Sequence, residues 1–406
     1  MKLLIFTQHF WPENFRINEV ASSMKSRGHS VDVVTAKPNY PEGKFYKGYK
    51  AFGINKEVWK GVKVYRLPIV SRGNKSFLRL SLNYLSFIFS SLLFSPLLLR
   101  KKKYDIIFVY GVSPIFQVIP ASFIGWLKGI PVVLWVQDLW PQSVEATGYI
   151  KSHFLLKILE KFVKFSYSHT DLILVQSVKF VDFVSKLSPN VPVKYYPNSV
   201  DKNFYSPRKI CIPKINSLKS GFSVLFAGNV GKAQSMETIV SAATKLLKFK
   251  DIKIVIIGSG SKIKWLEETI KDKNLENIFL EGSYPNEVMP SIMRQASALL
   301  VSLSDQPIFA LTVPNKVQAY LAVGRPIIAS LNGECARIIN ASRAGFCAPS
   351  EDVNGLVNAI LKIYHMTPEE LLQLGNNGRS YFKNHFDEHI LIDNLIKHFE
   401  CLINKD

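Results

Sequence analysis

Residues 224–236, with the sequence VLFAGNVGKAQSM, place a short apolar run directly before a glycine-containing loop and the start of a helix. The run Val224–Ala227 has the length and composition of a buried strand. Gly228 and Gly231 allow the backbone to approach a ligand, and a helix that begins near Met236 directs free N–H groups to the same place. This unit predicts an α/β fold with a loop suited to a phosphate, although such turns also use glycine for purely local reasons.

The same alternation of short apolar runs and helical patterns continues along nearly the whole chain, which is typical of parallel sheets covered by helices. We therefore predict two doubly wound parallel sheets. The strands predicted in the first half are Leu3–Phe6, Val31–Thr35, Val62–Leu67, Ile106–Tyr110, Val132–Val136, Leu172–Val175 and Val193–Tyr196. Those predicted in the second half are Val224–Ala227, Lys253–Ile257, Ile278–Glu281, Leu299–Ser302 and Ile327–Ala329.

The 406 residues, 47% of them hydrophobic, suggest a globular protein of two domains. We predict an N-terminal domain at 1–197, a proline-containing linker at 198–221 and a C-terminal domain at 222–384. An amphipathic closing helix at 385–406 is expected to return to the N-terminal domain. Ligands of open α/β sheets lie beyond the carboxyl ends of the strands, so we expect the two sheets to face each other across a substrate cleft.

The charge of the chain is unevenly distributed. Of the formal charge of +20, residues 1–200 carry +16 and residues 201–406 carry +4. A basic half-molecule attracts nucleic acid, an acidic lipid surface or a phosphorylated substrate. Basic and aromatic residues are not interleaved as in nucleic-acid-binding modules, so we predict no nucleic-acid partner.

The cysteines and the first residues indicate the compartment. Cys211, Cys335, Cys347 and Cys401 have no C-x-x-C spacing and no nearby histidine, which argues against a zinc site and against a disulfide framework. The apolar run at the start is too short for a secretory signal. We predict a cytoplasmic protein without a metal ion or another cofactor.

The segment Phe77–Leu99 is strongly apolar and is followed by four consecutive basic residues, 100–103. Three interpretations remain open: a membrane span, a helix facing the protein core, and a helix lying in a membrane interface with its cationic end on acidic headgroups. A span would split the N-terminal domain, because predicted strands of one sheet flank the segment on both sides.

Several loops of the second half carry residues suited to a diphosphate or a sugar. Pro314 suits the first position of a helix running to Val323, which puts Lys316 in the first turn. A cation there is unfavourable unless it is solvated or bound to an anion. Gly258-Ser259-Gly260 forms either a loop whose backbone approaches a ligand or a plain turn. Glu334 either binds ribose or sugar hydroxyls or caps a helix. The candidate donor-binding residues are Gly228, Asn229, Gly231, Lys232, Gln234, Ser235, Gly258, Gly260, Asn315, Lys316 and Glu334.

In the first half, aromatic, proline and polar residues follow the first and the fifth predicted strands. Glu13 and Asp138 are each able to act as a base or as a sugar ligand, and the alternative is that each only caps or forms a turn. His9 is either a base or a structural residue. The candidate catalytic residues are Asp138, Glu13 and His9, and the candidate acceptor-binding residues are Asn14, Arg16 and Trp140.

With these residues in place, the chain resembles a family-4 glycosyltransferase of the GT-B fold over nearly its full length. The resembling segments are Phe10-Trp11-Pro12-Glu13, Arg27-Gly28-His29-Ser30-Val31, Pro38-Asn39-Tyr40-Pro41, Asp138-Leu139-Trp140-Pro141, Pro197-Asn198-Ser199-Val200-Asp201 and Gly324-Arg325-Pro326-Ile327. In finer detail it is similar to N-acetyl-L-fucosamine transferases of bacterial O-antigen and capsule assembly.

This resemblance implies a metal-independent enzyme that moves a sugar, N-acetyl-L-fucosamine, from a UDP-sugar to a polyprenyl-diphosphate-linked N-acetylhexosamine. The C-terminal domain would bind the donor through residues 228–235, Lys316 and Glu334. The basic N-terminal domain would bind the acceptor at the cytoplasmic face of the inner membrane. A sugar-nucleotide epimerase on the same two-domain scaffold is the alternative function.

The sequence departs from the family pattern at two places. Leu311 and Ala319 occupy the positions where family members carry two glutamates, and Asn229 and Gln234 replace the usual basic residues of the glycine-rich loop. Lys232 and Lys316 remain as partners for a diphosphate. The family implies retention at the transferred carbon, whereas inversion would need Asp138 or Glu13 as a general base.

Overall fold

The computed structural model describes all residues except 74–75, 114, 147–149, 151, 207–212 and 405–406. Its contacts divide the chain into two compact units. The first comprises Met1–Pro197 together with Leu391–Asp406, and the second comprises Asn198–Ile390.

Each unit is built around one mainly parallel sheet, as the alternation of short apolar runs and helices predicts. The strands of the first unit are β1 (Lys2–Phe6), β2 (Ser30–Ala36), β3 (Asn55–Trp59), β4 (Val62–Leu67), β5 (Ile106–Gly111), β6 (Val132–Val136), β7 (Leu172–Val175) and β8 (Val193–Tyr195). Those of the second unit are β9 (Phe222–Ala227), β10 (Ile252–Ile257), β11 (Ile278–Leu280), β12 (Ala298–Ser302), β13 (Ile327–Ser330) and β14 (Gly345–Ala348). The predicted fold class is confirmed.

The strand orders are those of doubly wound sheets. The first sheet runs β3-β4-β2-β1-β5-β6-β7-β8 and the second runs β11-β10-β9-β12-β13-β14. All pairings are parallel except that of β3 with β4. In each sheet the strand order therefore changes direction next to the first strand, β1 or β9. Doubly wound folds bind ligands at this point.

The sequence analysis missed two edge strands. β3 pairs antiparallel with β4 and alternates between part-exposed and exposed residues. β14 contains only four residues, GFCA, and most of them are part-exposed. Neither strand has the continuous apolar run on which the prediction rested.

Helices cover the sheets. Those of the first unit are α1 (Ile17–Ser26), α2 (Phe77–Leu99), α3 (Val118–Lys128), α4 (Gln142–Ala146), α5 (His153–Ser168) and α6 (Val178–Leu187). The second unit contains α7 (Met236–Leu246), α8 (Ile263–Asp272), α9 (Met289–Met293), α10 (Pro307–Leu311), α11 (Asn315–Val323), α12 (Glu334–Ser342), α13 (Val353–Tyr364) and α14 (Pro368–His385). The last helix is α15 (Glu388–Ile403).

Residues 198–221 and α15 refine the predicted organisation. The stretch predicted as a linker contributes Val200, Ile215 and Leu218 to the buried core of the second unit. Cys211 lies outside the described residues, and the other three cysteines are free. In α15, Leu395 and Phe399 are buried in the core of the first unit. Near the start of this helix, Ile390 is exposed and Ile392 is buried.

Helix α2 connects β4 to β5. Unlike an ordinary core helix, it buries several polar side chains and exposes many apolar ones. Its inner face buries Asn83, Phe87, Ser91, Ser95 and Leu99. Its exposed large apolar residues are Leu78, Leu82, Leu85, Phe89, Leu93 and Leu97. Leu78–Leu99 is long and apolar enough to cross a membrane, but only a third of it is buried. One face of Phe77–Leu99 therefore covers the core, as a core-facing helix would, whereas six large apolar side chains on its other face are exposed.

Candidate functional site

In the second unit, the ammonium group of Lys316 is the strongest candidate for binding an anion. Its Nζ is buried and has no hydrogen-bond partner among the residues that the structure describes. It lies 4.1 Å from the centroid of the Phe226 ring. Burial lowers the pKa of Lys316 from 10.5 to about 8, because a charge is less stable away from water. The structure thus contains a buried cation without a counter-charge, which is costly unless an anion binds beside it.

Helix α11 holds Lys316 at the carboxyl edge of the second sheet. The hydroxyl of Tyr320, one turn further along this helix, bonds to the backbone of Ala227 and Leu300. Lys316 is the second residue of α11, and Pro314 caps the helix rather than occupying its first position as the sequence suggested. A cation in the first turn opposes the helix dipole. An anion at this position would interact favourably with both the ammonium group and the helix N-terminus.

The glycine loop after β9 lies beside this amine. Gly228 is exposed, and a Cβ built on it would lie 3.2 Å from Lys316 Nζ. Gly228 also has a φ of +137°, a conformation that L side chains rarely adopt. The predicted pair of Gly228 and Lys316 is thus brought together, with open backbone next to the cation.

Gly258 and Gly260 are glycines because of packing between loops. A Cβ on Gly258 would lie 1.8 Å from the carbonyl oxygen of Gly228, and one on Gly260 would lie 2.2 Å from that of Val230. The two loops are also joined by a hydrogen bond from Val230 N to Ser259 O of 2.9 Å. The close approach of the two loops explains both glycines and shapes the loop that carries Gly228. Their assignment as donor-binding residues stays a prediction.

Most other candidates of this loop are engaged with each other. Gln234 Oε1 accepts hydrogen bonds from Gly231 N and Asn229 Nδ2 at 3.1 and 3.2 Å. Ser235 Oγ is 2.8 Å from Thr238 Oγ1 at the start of α7. Lys232 is exposed and borders a separate cavity of about 550 Å³. Asn229, Gly231 and Gln234 thus order the loop, and Lys232 lies beside a cavity that Glu237 and Lys262 also line.

Glu334 and Asn315 begin two helices at the same sheet edge. Glu334 is buried, and its carboxylate accepts hydrogen bonds of 2.6 and 2.9 Å from Arg337 one turn along α12. This contact favours a structural role for Glu334. Asn315 is exposed. Ala319, one of the positions where a family glutamate was expected, packs in the core of the unit.

Sequence reasoning missed Ser302, the last residue of β12. Leu300 lies opposite Phe226 in the pairing of β12 with β9, so Ser302 lies two residues further, level with Gly228. Its Oγ is buried and has no partner within the described part of the chain. A hydroxyl at the carboxyl end of a buried strand was the available signal, because such ends line ligand sites.

In the first unit, Glu13 holds the loop after β1 together. Its Oε1 accepts hydrogen bonds of 2.7 Å from the backbone N–H groups of Asn39 and Tyr40, and its Oε2 lies 2.9 Å from His9 Nδ1. Glu13 is also buried. Because both oxygens already have partners, the geometry favours a positioning role for Glu13, and its assignment as a catalytic base stays a prediction.

His9 is oriented by this contact and by ring stacking. Its imidazole stacks on Phe15 with centroids 4.7 Å apart and an interplanar angle of 12°. Because Glu13 occupies Nδ1, Nε2 is the ring nitrogen left for a ligand. A carboxylate that fixes one imidazole nitrogen and leaves the other for proton transfer is a common arrangement in catalysis.

The loop of His9 is tied to the inner face of α2. Gln8 Nε2 donates a hydrogen bond of 2.7 Å to Asn83 Oδ1, and Asn83 Nδ2 donates one of 2.6 Å to Val70 O. Asn83 is fully buried. A polar residue on an otherwise apolar helix therefore connects α2 to the candidate catalytic loop.

Asp138 emerges after β6 and belongs to a short hydrogen-bond chain. Ser113 Oγ donates a hydrogen bond of 2.9 Å to Asp138 Oδ2 and accepts one of 2.9 Å from Trp140 Nε1. Burial raises the pKa of Asp138, and the hydrogen bonds from Ser113 oppose this shift. Asp138 thus has the position and the raised pKa expected of a group that exchanges a proton.

Trp140 does not have the exposed ring that sugar stacking requires. It is only 9% exposed and packs edge-on against Phe116, with centroids 5.6 Å apart. Its assignment to acceptor binding is corrected accordingly: it supports Asp138 through Ser113. Sequence reasoning missed Ser113, which has no motif of its own.

The loops after β1, β5 and β6 meet near Tyr110. Burial raises the pKa of Tyr110, and the charges of both Arg16 and Asp138 act on it. Arg16, predicted to bind acceptor, is part-exposed, and Asn14 is exposed. Within the described residues, no three His, Cys, Asp or Glu side chains are grouped to hold a metal ion.

Two models of known families match the chain, one in each unit. Residues 14–199 match the model described as a glycosyl transferase 4-like domain. Residues 221–366 match the model described as glycosyl transferases group 1.

Two bacterial relatives resemble the chain over most of its length. It is 25% identical over 330 residues to the glycosyltransferase WbjE of Pseudomonas aeruginosa, covering 79% of this chain and 80% of that protein. It is 24% identical over 351 residues to WcaI of Escherichia coli K12, named as a colanic acid biosynthesis glycosyl transferase, covering 80% and 82%.

Solved structures share the fold of the whole chain. Sucrose-phosphate synthase from Thermosynechococcus elongatus has a TM-score of 0.73 at 16% identity and covers all of both chains. HepE from Anabaena, solved with UDP-glucose, has a TM-score of 0.67 at 12% identity and covers 99% of this chain and all of that one.

Proposed function

Because the chain belongs to the family-4-like glycosyltransferases of the GT-B fold, we propose that it transfers a sugar from UDP to a lipid-linked acceptor during surface polysaccharide assembly. The relative named for colanic acid biosynthesis supports the pathway class. The Anabaena structure with UDP-glucose supports the choice of a uridine nucleotide. The sugar that we propose is N-acetyl-L-fucosamine, on the sequence resemblance given above.

The observation that carries this proposal is the unpartnered ammonium group of Lys316 beside Gly228. A diphosphate at this point would neutralise the buried charge and occupy the N-terminus of α11. It would also meet the backbone of the glycine loop and the hydroxyl of Ser302. Each of these contacts would be stronger in the transition state, when the leaving diphosphate gains negative charge.

Titration calorimetry of UDP binding to Lys316→Ala tests the donor site. The loss of a hydrogen bond from a charged group costs about 1.5–3 kcal/mol, so we expect affinity to fall about 10- to 150-fold. The control is Lys362→Ala, since Lys362 also lies over an aromatic ring, Phe346 at 4.0 Å, but is exposed. Equal affinities for the wild type and both variants would refute the assignment.

The first unit is proposed to bind the acceptor at the carboxyl ends of β1, β5 and β6. His9 and Asp138 are the two groups there whose surroundings suit proton exchange. In an inverting reaction, one of them would take the proton of the acceptor hydroxyl as its oxygen attacks the sugar carbon and the bond to UDP breaks.

In a retaining reaction, the proton would pass instead to an oxygen of the leaving diphosphate on the same face of the sugar. No protein nucleophile or base is then required, and Lys316 with the helix N-terminus would stabilise the charge of the leaving group. Asp138 would in that case orient the sugar or the acceptor. We propose the retaining, metal-independent course that the family resemblance implies.

The acceptor is proposed to be a polyprenyl-diphosphate-linked N-acetylhexosamine at the cytoplasmic face of the inner membrane. The exposed leucines and Phe89 of α2 and the net charge of +16 in residues 1–200 support attachment to an anionic surface. Apolar side chains would enter the headgroup region while cations contact the lipid phosphates.

A further inference from the structure

A cavity of about 800 Å³ lies in the first unit between α2, α3 and α5. Its walls include Leu92 of α2, Val118, Phe123 and Trp126 of α3, and Phe165 of α5. It also contacts residues 129–132 and 169–171, which lie just before β6 and β7 or at the start of β6. It therefore lies at the edge of the sheet opposite to His9 and Asp138, and neither catalytic nor donor-site residues line it.

The polar side chains in the cavity wall are used by the protein itself, except Ser166, whose Oγ has no partner among the described residues. Ser122 Oγ donates to His169 O at 2.7 Å, and His169 Nδ1 lies 2.8 Å from Phe165 O. Thr170 Oγ1 donates to Tyr167 O at 2.8 Å, and Asp171 Oδ2 accepts from Val132 N at 2.7 Å. Specific binding of a sugar or nucleotide requires free polar groups. The lining therefore favours an apolar ligand.

The mouth of the cavity continues into an exposed apolar surface. Trp126 is 76% exposed and stacks on Phe123 with centroids 6.1 Å apart. Leu127, Phe165 and the outer residues of α2 extend this surface. Soluble monomers rarely expose a continuous apolar patch of this kind unless it binds something.

The charges near this surface are mostly positive. Helix α5 exposes Phe154, Phe162 and Phe165 together with lysines at 157, 161 and 164, and Glu160 is its only acidic residue. Arg100 and Lys101 are exposed just beyond the end of α2. Aromatic side chains mixed with lysines are typical of helices that lie in an anionic membrane interface.

We propose that the cavity between α2, α3 and α5 binds a hydrocarbon chain of an anionic membrane lipid. The chain would enter past Trp126 and fill the space between Leu92, Phe123 and Phe165. The lysines of α5 would contact the phosphate of the headgroup. This proposal rests on the proposed function for the membrane as the source of the lipid, and it adds a lipid site separate from the acceptor's reacting end.

Binding of a fluorescent fatty acid, 11-(dansylamino)undecanoic acid, tests the cavity in solution without a membrane. We expect saturable binding of one probe per chain to the wild-type protein. Ser168→Trp would fill the cavity mouth without making it polar, and Leu92→Gln would make the α2 wall polar. Both are expected to weaken binding at least tenfold, whereas Leu372→Ser, which alters an exposed leucine of the second unit, would leave it unchanged.

Vesicles of phosphatidylglycerol with brominated acyl chains give the second measurement. Insertion of Trp126 among the chains would quench its emission, and the quenching would be lost in Trp126→Phe. Uncharged phosphatidylcholine vesicles with the same chains would quench less. Quenching by both kinds of vesicle to the same extent would contradict the role given to the lysines.

Three results would overturn the proposal. The first is that the wild type does not bind the probe. The second is that the probe binds equally to wild type, Ser168→Trp and Leu92→Gln. The third is that sedimentation shows a dimer that Trp126→Ser dissociates, because the surface would then be an interface between copies of the chain. UDP calorimetry on the same variants separates this outcome from failure of the proposed function, because UDP binding does not involve the cavity.

Discussion

At the residue scale, the account depends most on Lys316, which the sequence marked as a cation at the unfavourable end of its own helix. The structure adds what the sequence could not contain, namely that its Nζ is buried over Phe226 and has no hydrogen-bond partner in the part of the chain that the structure describes. Side-chain burial depends on which helix packs on which strand end. Spacing along the chain does not determine that packing.

The lowered pKa of Lys316 predicts a pH effect on the ligand-free protein. The unfolded chain binds the proton up to about pH 10.5 and the folded chain only up to about pH 8. The unfavourable contribution of this group is therefore complete below pH 8 and disappears as the pH rises to 10.5. Since one pKa unit corresponds to about 1.4 kcal/mol, it reaches about 3 kcal/mol.

Replacing the amine should accordingly stabilise the protein while removing function. We expect Lys316→Met to raise the free energy of unfolding in urea at pH 7 relative to wild type, with a gap that narrows toward pH 10. UDP affinity should fall in the same variant. A variant less stable than wild type at pH 7 would mean that the ammonium group has a counter-charge.

Asp138 gives the second prediction at this scale. If it is the general base, Asp138→Asn should lower the rate of sugar transfer by about 10²–10⁴-fold while UDP affinity remains nearly unchanged. Because burial raises its pKa, activity should fall on the acid side of neutrality. Ser113→Ala removes a hydrogen bond to the carboxylate, so it should shift this acid limb to higher pH.

The outcome of these two variants also distinguishes the roles. A loss confined to apparent sugar affinity in Asp138→Asn would make Asp138 a positioning ligand, as retention requires. Wild-type activity and thermal stability together would reduce it to a turn residue. An acid limb that Ser113→Ala leaves in place would assign the titration to a group other than Asp138.

At the element scale, nearly all strands of the two sheets were predictable because most are short runs of mainly apolar residues bounded by polar ones. The edge strands β3 and β14 were not, since edges are only half-buried and carry mixed sequences. The buried face of α2 was also not predictable from the sequence, because apolar residues outnumber serines on nearly every face of this helix. Only packing showed that Asn83 and the serines face inward.

The outward apolar face of α2 predicts salt-sensitive binding to anionic vesicles. Attraction to the headgroups is screened over about 8 Å at physiological ionic strength, so bound protein should decrease as salt is added. Phe89→Ser combined with Leu93→Ser should reduce vesicle partition about tenfold, from the apolar area lost. Phe52→Ser, which changes another exposed aromatic residue of the first unit, is the control.

Flotation on a density gradient measures this partition directly. If the double variant floats as well as wild type at every salt concentration, α2 is not the attachment element. Absence of binding at low salt in the wild-type protein would remove the membrane from the account altogether.

At the scale of the whole molecule, the sequence was informative about fold and reaction class and much less so about the site. Phosphate-type loops and strand ends are local in sequence, so Gly228, Lys316 and Asp138 could be found without coordinates. Ser113 could not, because a lone serine acquires its meaning only from the neighbours that the sheet order gives it. Ser302 was missed although it ends a predicted strand, which was the available signal. Glu13, Gly258 and Gly260 each support a loop, and Trp140 is largely buried and hydrogen-bonded to Ser113. These supporting contacts depend on packing and could not be predicted from spacing along the chain.

The most direct test of sugar transfer is mass spectrometry of the products formed from a panel of UDP-sugars with a synthetic polyprenyl-diphosphate N-acetylhexosamine. We predict that one UDP-sugar, UDP-N-acetyl-L-fucosamine, increases the acceptor mass by one sugar residue and releases one UDP per product. Lys316→Ala should slow this reaction, and Lys362→Ala should not. Conversion of the nucleotide sugar to an isomer without acceptor, or no glycosylated acceptor from any donor in the panel, would contradict the account.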